Sequence, residues 1–284
     1  MNFEDFTAAM AAAVSPLLPD GTSASLICIP RNNGAARYAL YVTEPDRKES
    51  PLLYLEPFYE AYCTGIPLSD LALRLTQDYK NSVPFEQSFP DFPRKAELLK
   101  ERIFVKLIHY GKNAKWLKSI PHRQVLDLAV IYELIVPHIQ EGYGFSVITR
   151  SMMESLRLTE SMLHHIAWQN TVKSYPPLIC PMQDVLSVPF SLPMYILTNR
   201  MKIDGASCMF YPDLLRKLAE FLESDLCIFP SSVHEVIVIP WTNETDKNDM
   251  DRIVQEINTS AVRAEEQLSD HAYLYHRQTG EITM

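Results

Sequence analysis

Apolar residues at Phe3, Phe6, Met10 and Val14 recur at helical spacing behind Asn2, which is suited to cap a helix, and Pro16 ends the run. A period of two follows. Ala24 to Ile29 and Arg37 to Val42 flank Asn33-Gly34, a dipeptide that tolerates the positive φ values of a tight turn, and so predict a hairpin. Pro51 to Leu55 predicts a third strand, with helices near Glu56 to Tyr62 and Ser69 to Lys80. Three prolines between Asn81 and Pro93 mark a candidate boundary.

Beyond it, Arg102 to His109 reads as a strand and Asn113 to Lys118 as a short helix. Gln124 to Val136 reads as one long buried strand, with Phe145 to Thr149 as its partner. Thr159 is placed to cap a helix reaching about Asn170, and the five prolines of Tyr175 to Pro193 suit a connector. Further strands are predicted at Met194 to Thr198, Ala206 to Phe210, Leu226 to Phe229 and His234 to Ile239, with a turn at Asp204-Gly205. Helices open at Pro212 and near Lys247, and Ala272 to Tyr275 with Glu281 to Thr283 form a closing hairpin. The pattern defines an α+β fold: predominantly antiparallel sheet with helices on one face, in repeated strand-strand-helix units. Residues 1–93 form an N-terminal part and 94–284 a mixed part holding the connector 175–193, as two domains or one continuous one.

Composition narrows the function. With 26 basic against 35 acidic residues the net charge is −9, a field that repels nucleic acid and anionic membrane surfaces. No basic residue precedes Arg31, so no secretory leader is expected, and no apolar run approaches the length that spans a bilayer. Cys28, Cys63, Cys180, Cys208 and Cys227 include no Cys-x-x-Cys pair, which argues against a disulfide framework and a zinc knuckle. Cys28, Cys208 and Cys227 fall in predicted strands and are expected to be small buried side chains. No phosphate-binding glycine loop occurs, which disfavours nucleotide binding; no cofactor and, from the cysteine and histidine spacing, no metal is expected, and the chain is expected in the cytoplasm.

Four patches carry a resemblance. Tyr54 to Tyr62, Ile120-Pro121-His122-Arg123 running into Leu126 to Ala129, Leu197-Thr198-Asn199 with Gly205-Ala206, and Pro230-Ser231-Ser232-Val233-His234-Glu235 together resemble an uncharacterised bacterial family known only as a domain of unknown function. The resemblance covers essentially the whole chain. It implies a self-contained bacterial protein and no particular activity.

Chemistry concentrates in Ser231-Ser232-Val233-His234-Glu235. If Ser232 to Ile239 is extended, Ser232 and His234 share a face while Glu235 points away. A serine hydrolase would use Ser232 as nucleophile and His234 as base, with Asp204 or Asp225 orienting the ring. No Gly-x-Ser-x-Gly elbow supports it, and the alternative is that these groups satisfy backbone where the chain turns. His234-Glu235 lacks the second histidine of a metalloprotease helix, and His164-His165 diverge on a helix. Tyr54, Phe58, Tyr59 and Tyr62 offer either a recognition face for another protein or a core-facing stripe. The leading expectation is a non-enzymatic protein-binding or regulatory module using sheet edges or this tyrosine-rich face; the hydrolase is the alternative.

Overall fold

The computed structural model describes residues 1–45, 52–81, 92–137, 143–186, 192–242 and 246–284. Two compact units emerge, Met1–Lys95 and Ala96–Met284. The proline-marked boundary at Asn81 to Pro93 lies mostly outside the described residues. No helix among those described is long and apolar enough to cross a membrane.

In the first unit α1 (Phe3–Val14) starts where the Asn2 side chain accepts the Asp5 N–H at 2.8 Å, satisfying a donor the helix leaves open. Its Phe6, Met10 and Val14 are fully buried, as their spacing requires. Strands β1 (Ser23–Pro30) and β2 (Ala36–Thr43) pair antiparallel from Ser23 opposite Thr43 to Pro30 opposite Ala36. Asn33 and Gly34, at φ of 58° and 75°, turn the chain between them, but within a longer loop than a two-residue hairpin. β3 (Leu52–Tyr54) pairs with the other side of β2, and helices α2 (Glu56–Cys63) and α3 (Leu68–Asn81) follow. Leu40 of β2 joins Phe6, Met10, Leu71 and Leu75 in one core, so the helices cover one face of this sheet.

The boundary between the units falls within α4 (Phe92–Lys100). The second unit then builds a four-stranded antiparallel sheet: β4 (Ile103–His109) on one edge of β6 (Leu128–Pro137), and β5 (Arg123–Val125) and β7 (Tyr143–Val147) along the other. The expected single strand Gln124 to Val136 is in fact a hairpin folded at Leu126-Asp127, with Leu126 at φ 53°. The physical reason is Asp127: its carboxylate accepts the Ser269 hydroxyl at 2.7 Å and the Tyr273 hydroxyl, which a strand interior would forbid. After α5 (Ala114–Leu117) and α6 (Arg150–Ser155), α7 (Glu160–Ser174) begins at a Thr159 side-chain cap to Met162 N–H. Its Thr171 hydroxyl oxygen accepts the Val105 N–H at 3.0 Å, so α7 satisfies part of the open edge of β4.

The Pro-rich stretch holds more structure than a connector. Pro177–Pro181 forms β8, followed by α8 (Met182–Leu186), and β8 sits at the rim of the next sheet, where prolines without N–H donors are tolerated. That six-stranded antiparallel sheet runs β13-β12-β10-β11-β9-β8, with β9 (Tyr195–Asn199), β10 (Leu226–Phe229), β11 (Val236–Pro240), β12 (Tyr273–Tyr275) and β13 (Ile282–Thr283). The strand expected at Ala206 to Phe210 is instead a 3-10 helix, Gly205–Phe210, so the strand-strand-helix order is interrupted there. Nor do helices keep to one face here. Ile228, Val236 and Val238 share a core with α9 (Leu214–Leu222), whereas Cys227, Phe229 and Ile239 on the opposite face pack with Val254 of α10 (Lys247–Ala261). Cys208 and Cys227 are buried as expected, but Cys28 is exposed because β1 is an edge strand.

Helix α9 ends with Glu223 in the left-handed region, φ 52°, while Ser224 N–H closes on Ala219 C=O at 3.2 Å. An L-residue there carries a cost that glycine avoids. Glu223→Gly is expected to stabilise the second unit by about 1 kcal/mol, raising its melting midpoint by roughly 2 to 4 °C; an unchanged or lower midpoint in a thermal melt would contradict this account of the helix end.

Candidate functional site

Two of the sequence patches, far apart in the chain, meet at one corner. Thr198 Oγ1 donates to the His234 carbonyl at 2.7 Å, and Ala206 N–H donates to the Val233 carbonyl at 3.2 Å. Gly205 sits beneath both segments: a Cβ there would lie 2.2 Å from Thr198 Oγ1 and 2.5 Å from the His234 carbonyl oxygen. Only glycine permits that approach. From the other side Val233 N–H donates to the Glu266 carbonyl, and Leu268 and Ser269 N–H donate to the carbonyls of Ser231 and Pro230.

This backbone lacing revises the local geometry expected of the motif. The extended segment starts at Val236 rather than Ser232; Ser232 makes an isolated bridge with Gln267 and His234 lies in a bend. Ser232 Oγ accepts the His234 backbone N–H at 3.1 Å, the local turn bond of which serine is capable. The imidazole is engaged elsewhere: Nδ1 accepts Asp204 N–H at 3.2 Å, which places the ring proton on Nε2, and Nε2 faces Glu266 Oε1 at 3.9 Å. Asp204 therefore reaches His234 through its backbone. Asp225 is committed to Arg277 N–H at 2.8 Å and to His276 at 3.7 Å. Ser232, His234 and Asp204 are neighbours, but the hydrogen bonds joining them are those of a scaffold rather than of a nucleophile activated by a ring nitrogen.

The Asp204 carboxylate instead meets Lys106 of β4 at 3.1 Å, and the same ammonium meets Glu133 of β6 at 3.3 Å. Glu133 and Asp204 side chains are each 10% exposed and Lys106 22%. Burial alone would lower the Lys106 pKa, yet the Glu133 and Asp204 carboxylates outweigh it and hold the ammonium above its ordinary value. Sequence reasoning missed this triad. Its one signal was a lysine at the centre of an apolar strand.

A second polar corner was also missed. Burial first, then the Asp127 carboxylate, pushes the Tyr273 hydroxyl up, so it stays protonated and donates. Nearby, Asp270 binds Lys112 Nζ at 2.9 Å and accepts from Asn258 Nδ2 at 2.9 Å. Asp251 of α10 binds Lys247 at 2.7 Å, Ala272 N–H at 2.8 Å and His271 Nδ1 at 3.4 Å. Among the described residues no three His, Cys, Asp or Glu side chains are arranged to hold a metal ion.

The aromatic stripe lies in the first unit. Tyr59 packs on Phe3 and Phe6 at 5.0 and 5.2 Å, Tyr62 packs on Phe6 at 5.3 Å, and Phe58 joins the same core. Tyr59 and Tyr62 thus pack α2 on α1, and all three rings serve the core. Tyr54 is different: it lies on the sheet, its hydroxyl accepting from Arg31 Nη2 at 2.8 Å. Two strands away, β1 leaves its outer edge unpaired among the described residues.

The class defined so far is an α+β protein of antiparallel sheets with two polar corners and, in the first unit, a long edge strand, β1. Residues 3–277 match the family of unknown function DUF5688, and the chain belongs to that family. No curated protein and no solved structure matches it.

Replacing Lys106 with methionine leaves two carboxylates facing each other without their cation. Lys106→Met is expected to cost about 3 kcal/mol in urea unfolding of the full chain, and a loss below about 0.5 kcal/mol, the scale of an ordinary surface change, would show the triad to be dispensable. At Asp251, burial alone would raise the pKa, but Lys247, the Ala272 amide and His271 outweigh it and hold the carboxyl below its ordinary 3.8. A depressed folded pKa contributes stability above the unfolded value and loses it as pH falls through the folded one. The stability gap between wild type and Asp251→Asn should therefore be full above pH 3.8 and close as pH falls further; a gap that is constant with pH would refute the assignment.

Proposed function

We propose that this protein is a non-enzymatic protein-binding module of the cytoplasm, which takes an extended segment of a partner protein onto the open edge of β1. The observation that carries this reading is the edge itself. β1 is eight residues long, pairs with β2 throughout without a bulge, and carries no charged side chain from Ser23 to Pro30. Edge strands are ordinarily blunted by charge, bulges or brevity, and β1 has none of these; Pro30 stands only at its end. Every second residue of an antiparallel edge turns its N–H and C=O outward, so about four residues present backbone groups that only another strand satisfies as a set.

The side chains favour the same occupant. Leu26 and Cys28 lie opposite Leu40 and Tyr38 on the helix-covered face, yet Leu26 is 40% exposed and Cys28 is exposed, for want of a neighbour on the outer side. Ile27 and Ile29 alternate with them on the other face, opposite Ala39 and Arg37. All five cysteines are free thiols, which suits a reducing compartment.

A random decapeptide library displayed on phage, selected on the whole protein, should yield sequences alternating apolar and polar residues. Binding of such a peptide should slow amide hydrogen exchange at Ser23–Pro30. Protection confined to other segments, or no enrichment at all, would remove β1 as the docking edge.

A further inference from the structure

The outer face of the three-stranded sheet ends in two arginines that meet no carboxylate among the described residues. Arg31 directly follows β1, and Arg37 lies opposite Ile29 in the register, so both belong to the face that carries Ile27 and Ile29. Their guanidinium carbons lie 5.6 and 5.7 Å from the ring centroid of Tyr54, which is opposite Ala39 on the same face. Arg31 spends one N–H on the Tyr54 hydroxyl, and its Nε is buried with no acceptor. In a chain with nine more acidic than basic residues, arginines ordinarily find carboxylates. Among the described residues neither Arg31 nor Arg37 has one within ion-pair distance. A tyrosine ring offsets part of the repulsion between two guanidiniums but provides no counter-charge.

A strand laid along β1 ends beside Arg31, with Arg37 one strand and Tyr54 two strands further in. From the position opposite Ile27 to that opposite Arg31 is four residues, about 13 Å along the strand. Side chains of the incoming strand on the outer face stand within cross-strand reach of Ile29 and Arg31, where opposite charges attract and like charges repel. Guanidinium groups engage carboxylates with paired N–H donors, a geometry that ammonium cannot reproduce.

We infer that Arg31, Arg37 and Tyr54 form an anion-recognition corner, and that the segment captured by β1 carries carboxylate side chains at the end lying beside Arg31. The inference rests on β1 being the docking edge, and it specifies the partner as an apolar, extended protein segment with an acidic end.

The test uses the whole protein and fluorescent peptides that share one alternating Thr-Val core and carry, at either terminus, two glutamates, glutamines, lysines or phosphoserines spaced one residue apart so that both face the same side. Fluorescence anisotropy at low salt should rank glutamate above glutamine above lysine. The first step should be roughly tenfold, as two partly exposed ion pairs allow, and should shrink in high salt. In the double variant Arg31→Gln/Arg37→Gln, with a wild-type melting midpoint, the glutamate peptide should fall to the level of the glutamine peptide, which itself still binds. Equal affinities for all endings, or a glutamate preference that survives the double variant, would overturn the corner while leaving edge capture intact. Preference for phosphoserine well beyond glutamate would overturn the carboxylate assignment in favour of phosphate. If no peptide slows exchange at Ser23–Pro30, the docking edge fails and the corner with it.

Discussion

A single ammonium ties the second unit's two sheets together at one buried point. Lys106 projects from the four-stranded sheet and is met there by Glu133, while Asp204 reaches it from the turn that follows β9 in the six-stranded sheet. Charges so shielded from water are tolerated only when paired, so the position of the Asp204 turn is tied to that of β4. That turn in turn presents its amide to His234 and sets Gly205 against Thr198. The arrangement of the Pro230 to Glu235 segment, which the sequence singles out as chemistry, follows from this ion pairing and from the backbone bonds around it.

What is legible in the sequence is what local chemistry decides. Asn2 and Thr159 cap their helices in the structure as read from the chain, because a cap depends on residues three positions away. The β1–β2 and β12–β13 hairpins are visible for a similar reason, since alternation and turn residues lie within one short window. The misreadings all involve distant partners. Ala206 to Phe210 has an apolar content compatible with a strand, yet Gly205 is clamped beneath residues 198 and 234 and the chain leaves in a 3-10 turn. Leu126-Asp127 looks like strand interior until Ser269 and Tyr273 are known to hold the aspartate.

The candidate site divides along the same line. Spacing alone places Phe58, Tyr59 and Tyr62 on one side of α2, and they do join the core, Tyr59 and Tyr62 against α1. The proximity of Ser232 and His234 is also readable, but not that the serine serves the backbone amide while the ring serves Asp204. Which strand is left at a sheet edge is a property of topology, and the uncharged character of Ser23–Pro30 acquires meaning only once β1 is known to be outermost. The same holds for Arg31 and Arg37, which six residues of sequence separate and one tyrosine ring brings together.

The hydrogen bonds from Ser269 and Tyr273 to Asp127 join residues 142 and 146 positions apart. On a ribosome, the β5–β6 hairpin emerges long before the hydroxyls that hydrogen-bond its carboxylate. Until then Asp127 must stay hydrated, which keeps the turn open to water and prevents the neighbouring apolar strands from closing over it. The four-stranded sheet is thus a structure completed from outside its own sequence. Its completion waits on the arrival of β12, a pairing of early strands with late ones of the long-range kind that slows folding.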